Sequence, residues 1–151
     1  MSITYLYRPH PLTIDKSATV KEALDLMIKK ESNGLIVTKN NTKIVGILSL
    51  QDIAGAILPA EMKENVSLAH AMYKDGFFEE MARKIGNKKV TEFARTAYKT
   101  VSPDASIFEV AAEFLQNDLY IIPVVSHDKL IGVISRSEIK RALALAMNLH
   151  E

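Results

Sequence analysis

The chain reads as an α+β protein built from two pseudo-symmetric β-α-β-β-α halves with a helical insertion between them. Three observations predict this. Blocks near the start recur about 87 residues later. Each copy holds an amphipathic helix followed by two β-rich apolar runs around a short polar turn. About forty residues between the copies match neither of them. The division that follows is 1–59 for the first repeat, 60–88 for the insertion and 89–151 for the second repeat.

The first element of each copy is a short extended segment, Thr13-Ile14 or Thr100-Val101. A helix follows. Thr19 with Glu22, and Ser106 with Glu109, form S/T-x-x-E capping boxes. Apolar residues then recur at Val20, Ala23, Leu24, Met27 and Ile28, and again at Ile107, Val110, Ala111, Phe114 and Leu115. That spacing is the apolar stripe of a helix packed on one side. Asn33-Gly34 is expected to end the first helix, because glycine accepts the left-handed cap conformation.

Two strands come next. Leu35 to Val37 and Ile44 to Leu48 flank a polar turn, as do Ile121 to Val125 and Leu130 to Ile134. Each pair reads as a hairpin. The runs are nearly continuous, which predicts a sheet covered on most of one or both faces. Val45-Gly46-Ile47-Leu48-Ser49 matches Ile131-Gly132-Val133-Ile134-Ser135 at an offset of 86. A second helix closes each copy. The first runs from about Leu50 to Leu58, stopped by Pro59, and the other from about Ser137 to Leu149. In the insertion, Phe77, Phe78, Met81, Ala82 and Ile85 follow helical spacing, with Gly86-Asn87 as a stop. Val66, Ala69, Met72 and Tyr73 suggest a further short helix, and Val90, Phe93, Ala94 and Ala97 another. Phe77 and Phe78 are read as core or interface residues, not as a cofactor box.

Composition narrows the function. The 151 residues carry 19 Lys+Arg against 18 Asp+Glu, a net charge of +1, with no basic stripe for nucleic acid. Absence of cysteine removes disulfides, thiolate zinc sites and thiol catalysis, and suits a reducing cytoplasm. Met1 to Leu12 shows no apolar signal core, and no apolar run spans a bilayer, so neither secretion nor membrane insertion is expected. His10, His70, His127 and His150 are scattered, and His127-Asp128-Lys129 reads as a turn tip. No phosphate loop, zinc-protease helix or nucleophile elbow is present, so no catalytic role is expected.

Two copies of a T/S-containing strand, a capped helix, a hairpin and then Gly-h-h-Ser-x-x-Asp/Glu-Ile (h for an apolar residue) resemble a tandem pair of CBS domains, the Bateman module. The last motif is Gly46 to Ile53 in one copy and Gly132 to Ile139 in the other. The resemblance covers nearly the whole chain except roughly residues 60 to 88. It implies two repeats packed through their sheets, with two clefts between them. In many such proteins the clefts bind AMP, ATP, adenosine or S-adenosylmethionine and regulate a protein partner without catalysis.

By that resemblance Asp52 and Ser49 would meet ribose or phosphate, in a cleft shared with Lys99, Thr100, Leu119 and Tyr120. An ionised carboxylate accepts both hydroxyls of a cis-diol, and a helix start offers N–H groups to phosphate. Ser135, Arg136 and Glu138 would share the other cleft with Leu12, Thr13 and the Asn33-Gly34 corner. The same residues read equally well as helix caps, Ser49 to Asp52 and Ser135 to Glu138. The positions before the second strands, Ser32-Asn33 and Tyr120-Ile121, hold no cation. Arg136, then Lys99, are the phosphate partners that remain.

Two functions follow. One is a stand-alone module that senses an adenosine-type ligand and signals to a partner. The other is a ligand-independent dimeric interaction module. The last helix, with Ile139, Leu143, Leu145, Met147 and Leu149, is apolar nearly all round. It predicts a homodimer that also uses Ile53, Ala54 and Ile57.

Overall fold

The structure is a computed structural model that describes residues 1–65, 67, 76–117 and 119–149. A 3-10 turn at Ile3–Tyr5 leads to β1 (Arg8–Pro9) and β2 (Thr13–Asp15). Then come α1 (Val20–Lys29), β3 (Gly34–Lys39), β4 (Lys43–Ser49) and α2 (Leu50–Ile57). The insertion contributes α3 (Ala60–Glu64) and α4 (Phe77–Gly86), followed by a 3-10 turn at Val90–Glu92. The second copy holds α5 (Ile107–Asn117), β5 (Ile121–Ser126), β6 (Lys129–Ser135) and α6 (Arg136–Ala146). The β-α-β-β-α order of the first copy stands. In the second copy the opening strand is a single parallel bridge, Val101 to Val124.

The strands form two three-stranded sheets, β2-β3-β4 and β1-β6-β5. Both hairpins turn on residues with positive φ, Asn40-Asn41 and His127-Asp128. Asn and Asp reach that conformation more easily than most residues. Each hairpin has a register shift at the same place, between Val37 and Thr38 and between Val124 and Val125.

The near-continuous apolar runs are explained by burial on both faces. Leu35, Val37 and Leu48 point to a core shared with Val20, Ala23 and Met27 of α1. Ile36 and Ile47 point the other way and meet Ile121 and Val133 of the second sheet. The sheets therefore join face to face through four buried β-branched side chains. Ile122, Val124 and Ile134 complete the second core with Val110 and Phe114 of α5.

Each core also takes in the segment that precedes the other repeat. Ile3 and Leu6 are buried with Val110 and Phe114. Val90 is buried with Val20 and Ala23. The backbone pairing is matched residue for residue. The Ile3 N–H donates to Ala105 O at 2.9 Å, and the Val90 N–H to Ala18 O at 3.0 Å. Arg8 pairs with Val133, and Arg95 with Ile47. The repeat thus starts at Ile3 and Val90, upstream of the first strands.

Three expectations are corrected. Residues 90–97 do not form a helix, because Arg95 exchanges both backbone hydrogen bonds with Ile47, at 2.8 and 3.0 Å. Helix α1 does not end on Asn33-Gly34. Glu31 takes the left-handed position, with φ 52°, while the Ser32 N–H closes on Met27 O at 2.9 Å. Gly34 instead opens β3, where a Cβ would lie 2.6 Å from the Tyr120 ring. Ile53 is not on an open face; it is buried in its own repeat's core. Helix α4 forms at the expected place and sends Ile85 into that same core, with Phe77 half-buried and Phe78 exposed. The helix expected over Val66 to Tyr73 lies outside the described residues, as do His70 and His150.

Candidate functional site

The two helix starts at the sheet interface are built differently. Ser49 caps α2 with a full capping box. The Ser49 N–H and hydroxyl both donate to Asp52 Oδ2 at 2.9 Å, and the Asp52 N–H donates back to Ser49 Oγ at 3.3 Å. Asp52 Oδ1 accepts from Arg95 Nε at 2.9 Å. Ser135 caps α6 through the Ser137 N–H, at 3.3 Å, rather than through residue 138 as a capping box requires. Glu138 has one more methylene than Asp52. Its carboxylate takes the Ser135 hydroxyl at 2.6 Å and the Arg8 Nε on its other oxygen.

The arginines are repeat mates, 87 positions apart, and each reaches the acidic residue of the helix behind it. They arrive on the segments exchanged between repeats. Glu138 is 2% exposed, and Arg8 carries its neutralising charge. A buried carboxylate needs such a partner. The sequence reading did not single out either arginine. The signal was there: Ile3 and Arg8 stand at the same offset from Val90 and Arg95.

Two clefts flank the sheet interface. The first has a volume of about 460 Å³. Arg8 to Thr13 form one wall, Ser32 and Gly34 to Ile36 another, and Leu26, Lys30, Ile121 and Val133 complete it. Its lining holds Arg8, His10 and Lys30 and no carboxylate. The second has about 40 Å³, lined by Ser49, Asp52, Arg95, Tyr98, Leu119 and Tyr120 among others.

The candidate residues sort as follows. Ser49, Asp52, Leu119 and Tyr120 come together in the second cleft. Lys99 and Thr100 are exposed and outside its lining. Leu12 and Thr13 line the first cleft, and Asn33 sits between lining residues with its N–H on the Tyr120 hydroxyl at 2.9 Å. Ser135 and Glu138 are buried behind Arg8, and Arg136 is exposed. The clefts do hold cations. They come from β1, from the end of α1 and from the segment before the second repeat, not from the positions preceding the second strands. Among the described residues no cluster of His, Asp and Glu could hold a metal ion, and no helix is long and apolar enough to cross a membrane.

Two pseudo-symmetric α+β repeats, joined through their sheets with a cleft on either side and an acidic residue at each helix start, define a tandem-repeat module of the CBS type. The chain belongs to the CBS domain family, whose profile matches residues 3–59 and 90–145. Its fold is that of the CBS-pair protein CBSX2 from Arabidopsis thaliana, with a TM-score of 0.77 and 22% identity over 99% of this chain and 98% of that one. A structure of CBSX2 in complex with AMP gives a TM-score of 0.71 and 24% identity, covering 97% of this chain and 98% of that one. A CBS domain pair in complex with 5′-methylthioadenosine and S-adenosyl-L-methionine gives 0.70 and 21%, covering 95% and 99%. In sequence the chain is 25% identical over 134 residues to a homoserine O-acetyltransferase of Methanococcus vannielii, covering 88% of this chain but 23% of that enzyme.

Proposed function

We propose that the chain is a cytoplasmic, non-catalytic regulatory module that binds an adenosine-type ligand in its first inter-repeat cleft and signals occupancy to a protein partner. The observation that carries this reading is the first cleft itself. Its volume of about 460 Å³ falls in the ~300–1,000 Å³ range of small-molecule sites. Leu12, Ile36, Ile121 and Val133 offer apolar walls for a purine. Lys30 brings a positive charge to a lining that holds no carboxylate, while the charge of Arg8 is matched by Glu138. Of the ligand class, this favours AMP or ATP over neutral adenosine, and over S-adenosylmethionine, whose sulfonium would meet like charge. Structural relatives solved with AMP, and with 5′-methylthioadenosine and S-adenosyl-L-methionine, support the class.

Calorimetry and thermal shift with AMP, ATP, adenosine and S-adenosylmethionine test the reading. The nucleotides should bind most tightly, and Lys30→Ala should weaken AMP several-fold at low salt and less at high salt. A folded protein that binds none of the four refutes it. Signalling further requires different ligand affinity in two states of the module.

A ligand-independent dimeric interaction module is supported by a different observation. Leu143 (54%), Leu145 (55%) and Met147 (65%) on or next to α6 are exposed, as are Phe108 (81%) and Leu115 (86%) on α5. Such a surface suits a second copy of the chain or a partner protein. Partner capture that changes with nucleotide would count against ligand independence.

A further inference from the structure

The clefts are related by the internal repeat, yet one is more than ten times roomier than the other. Position-by-position comparison shows why. Where the first cleft has Pro11 and Ser32, the second has Tyr98 and Leu119. Beside them, Asn33 corresponds to Tyr120. Each of these three pairs puts the larger side chain in the second cleft. His10 against Ala97 and Lys30 against Asn117 run in the opposite sense, and both His10 and Lys30 are exposed.

Tyr120 is also held in place. Its hydroxyl accepts from the Asn33 N–H at 2.9 Å, and its ring lies flush on Gly34, where any Cβ would come within 2.7 Å of two ring carbons. Tyr98 is anchored beside it, its hydroxyl donating to Ile44 O at 3.3 Å. Behind the two rings, Ser49 and Asp52 remain at the cleft wall.

We propose that Tyr120, backed by Leu119, is a built-in plug that closes the second cleft, so that the chain takes one ligand where its repeat symmetry offers two. The closed cleft is a latent site for the same nucleoside class, with Asp52 at its wall able to accept one ribose hydroxyl beside its bonds from Ser49 and Arg95. The inference rests on the proposed binding in the first cleft and concerns only the count of sites. Tyr120 sets occupancy by bulk; its hydrogen bond only fixes where the bulk lies.

The test is binding stoichiometry per chain, measured with AMP by calorimetry and equilibrium dialysis. The wild type should bind one equivalent. The double variant Leu119→Ser/Tyr120→Asn, which copies the first-cleft residues into the second, should bind two. Tyr120→Phe keeps the ring and should still bind one. Two equivalents on the wild type, or one equivalent on a double variant whose unfolding remains cooperative, would overturn the plug. If the double variant does not fold, Tyr120→Ala replaces it, with the same two readings. If the wild type binds no AMP, the functional reading fails separately, and the plug then stands or falls on whether the variant gains one equivalent.

Discussion

Removing Arg8 should destabilise this protein more than removing its repeat mate Arg95. In Arg8→Ala the Glu138 carboxylate, 2% exposed, keeps only the Ser135 hydroxyl of the partners described above. Stripping one partner from a fully buried ion pair costs about 3–5 kcal/mol. Arg8 is itself 57% exposed, so water can follow it into the gap. The cost drops toward the about 1–3 kcal/mol of a single unsatisfied buried group. At about 2–4 °C per kcal/mol for a chain of this size, a loss near 2 kcal/mol lowers the midpoint by about 4–8 °C. Asp52 is better provided for. Without Arg95 it retains the Ser49 N–H and hydroxyl, both at 2.9 Å, and it sits at a helix N-terminus. Arg95→Ala should therefore cost under about 1 kcal/mol, in the range of exposed ion pairs. Urea and thermal unfolding of both variants decide the order. Glu138→Gln added to Arg8→Ala should recover part of the loss, since a neutral amide tolerates burial better than an unpaired charge. Equal losses for the two arginines, or no recovery with Gln, would refute the reasoning.

Gly132→Ala should destabilise by about 1–3 kcal/mol through overpacking, because its Cβ would lie 2.7 Å from Arg8 O against the Tyr7 ring; denaturant midpoints check it. On the dimeric reading, Leu143→Glu places a charge on the exposed apolar face of α6 and should yield a monomer at micromolar concentration by light scattering, without loss of cooperative unfolding. Asp15 is held below the usual carboxylate pKa, first by the Ser17 hydroxyl and then by the Ser17 N–H. Its contribution is present above the unfolded value near about 3.9 and is lost as pH falls through the lower folded value. Ser17→Ala should thus flatten the acid limb of the stability curve, followed by urea midpoints from neutral pH downward.

Much of the architecture was legible because it rests on local pattern. The hairpins, the capped α1, the periodicity of α4 with its Gly86-Asn87 stop, and the start of α2 at Ser49 are written in patterns and cap chemistry within a few residues of each other. The continuous apolar runs showed sheets covered on one or both faces, and the structure makes it both. What escaped reading depends on contacts between distant segments. Gly34 looks like a helix stop until the Tyr120 ring, 86 positions on, is found against it. Residues 90–97 carry helical spacing, yet their backbone is spent on β4 at Ile47. The cations of the first cleft come from β1 and the end of α1, which no single motif brings together. Asp52 and Glu138 were legible as residues at helix starts. That each is met by an arginine from the exchanged segments was not.

That exchange has a consequence for how the protein is made. Arg8 leaves the ribosome 130 residues before its partner Glu138. Ile3 and Leu6 likewise wait for the strands and helix that bury them. The second core cannot close until the α6 sequence has emerged, so the Ile3 to Arg8 segment must stay accessible until then. Late, long-range contacts of this kind slow folding and leave apolar surface open for longer. The first core, whose exchanged segment comes from residues 88–96, can close on the nascent chain well before. Ribosome-bound intermediates should therefore hold one ordered repeat with the Ile3 to Arg8 segment still undocked beside it.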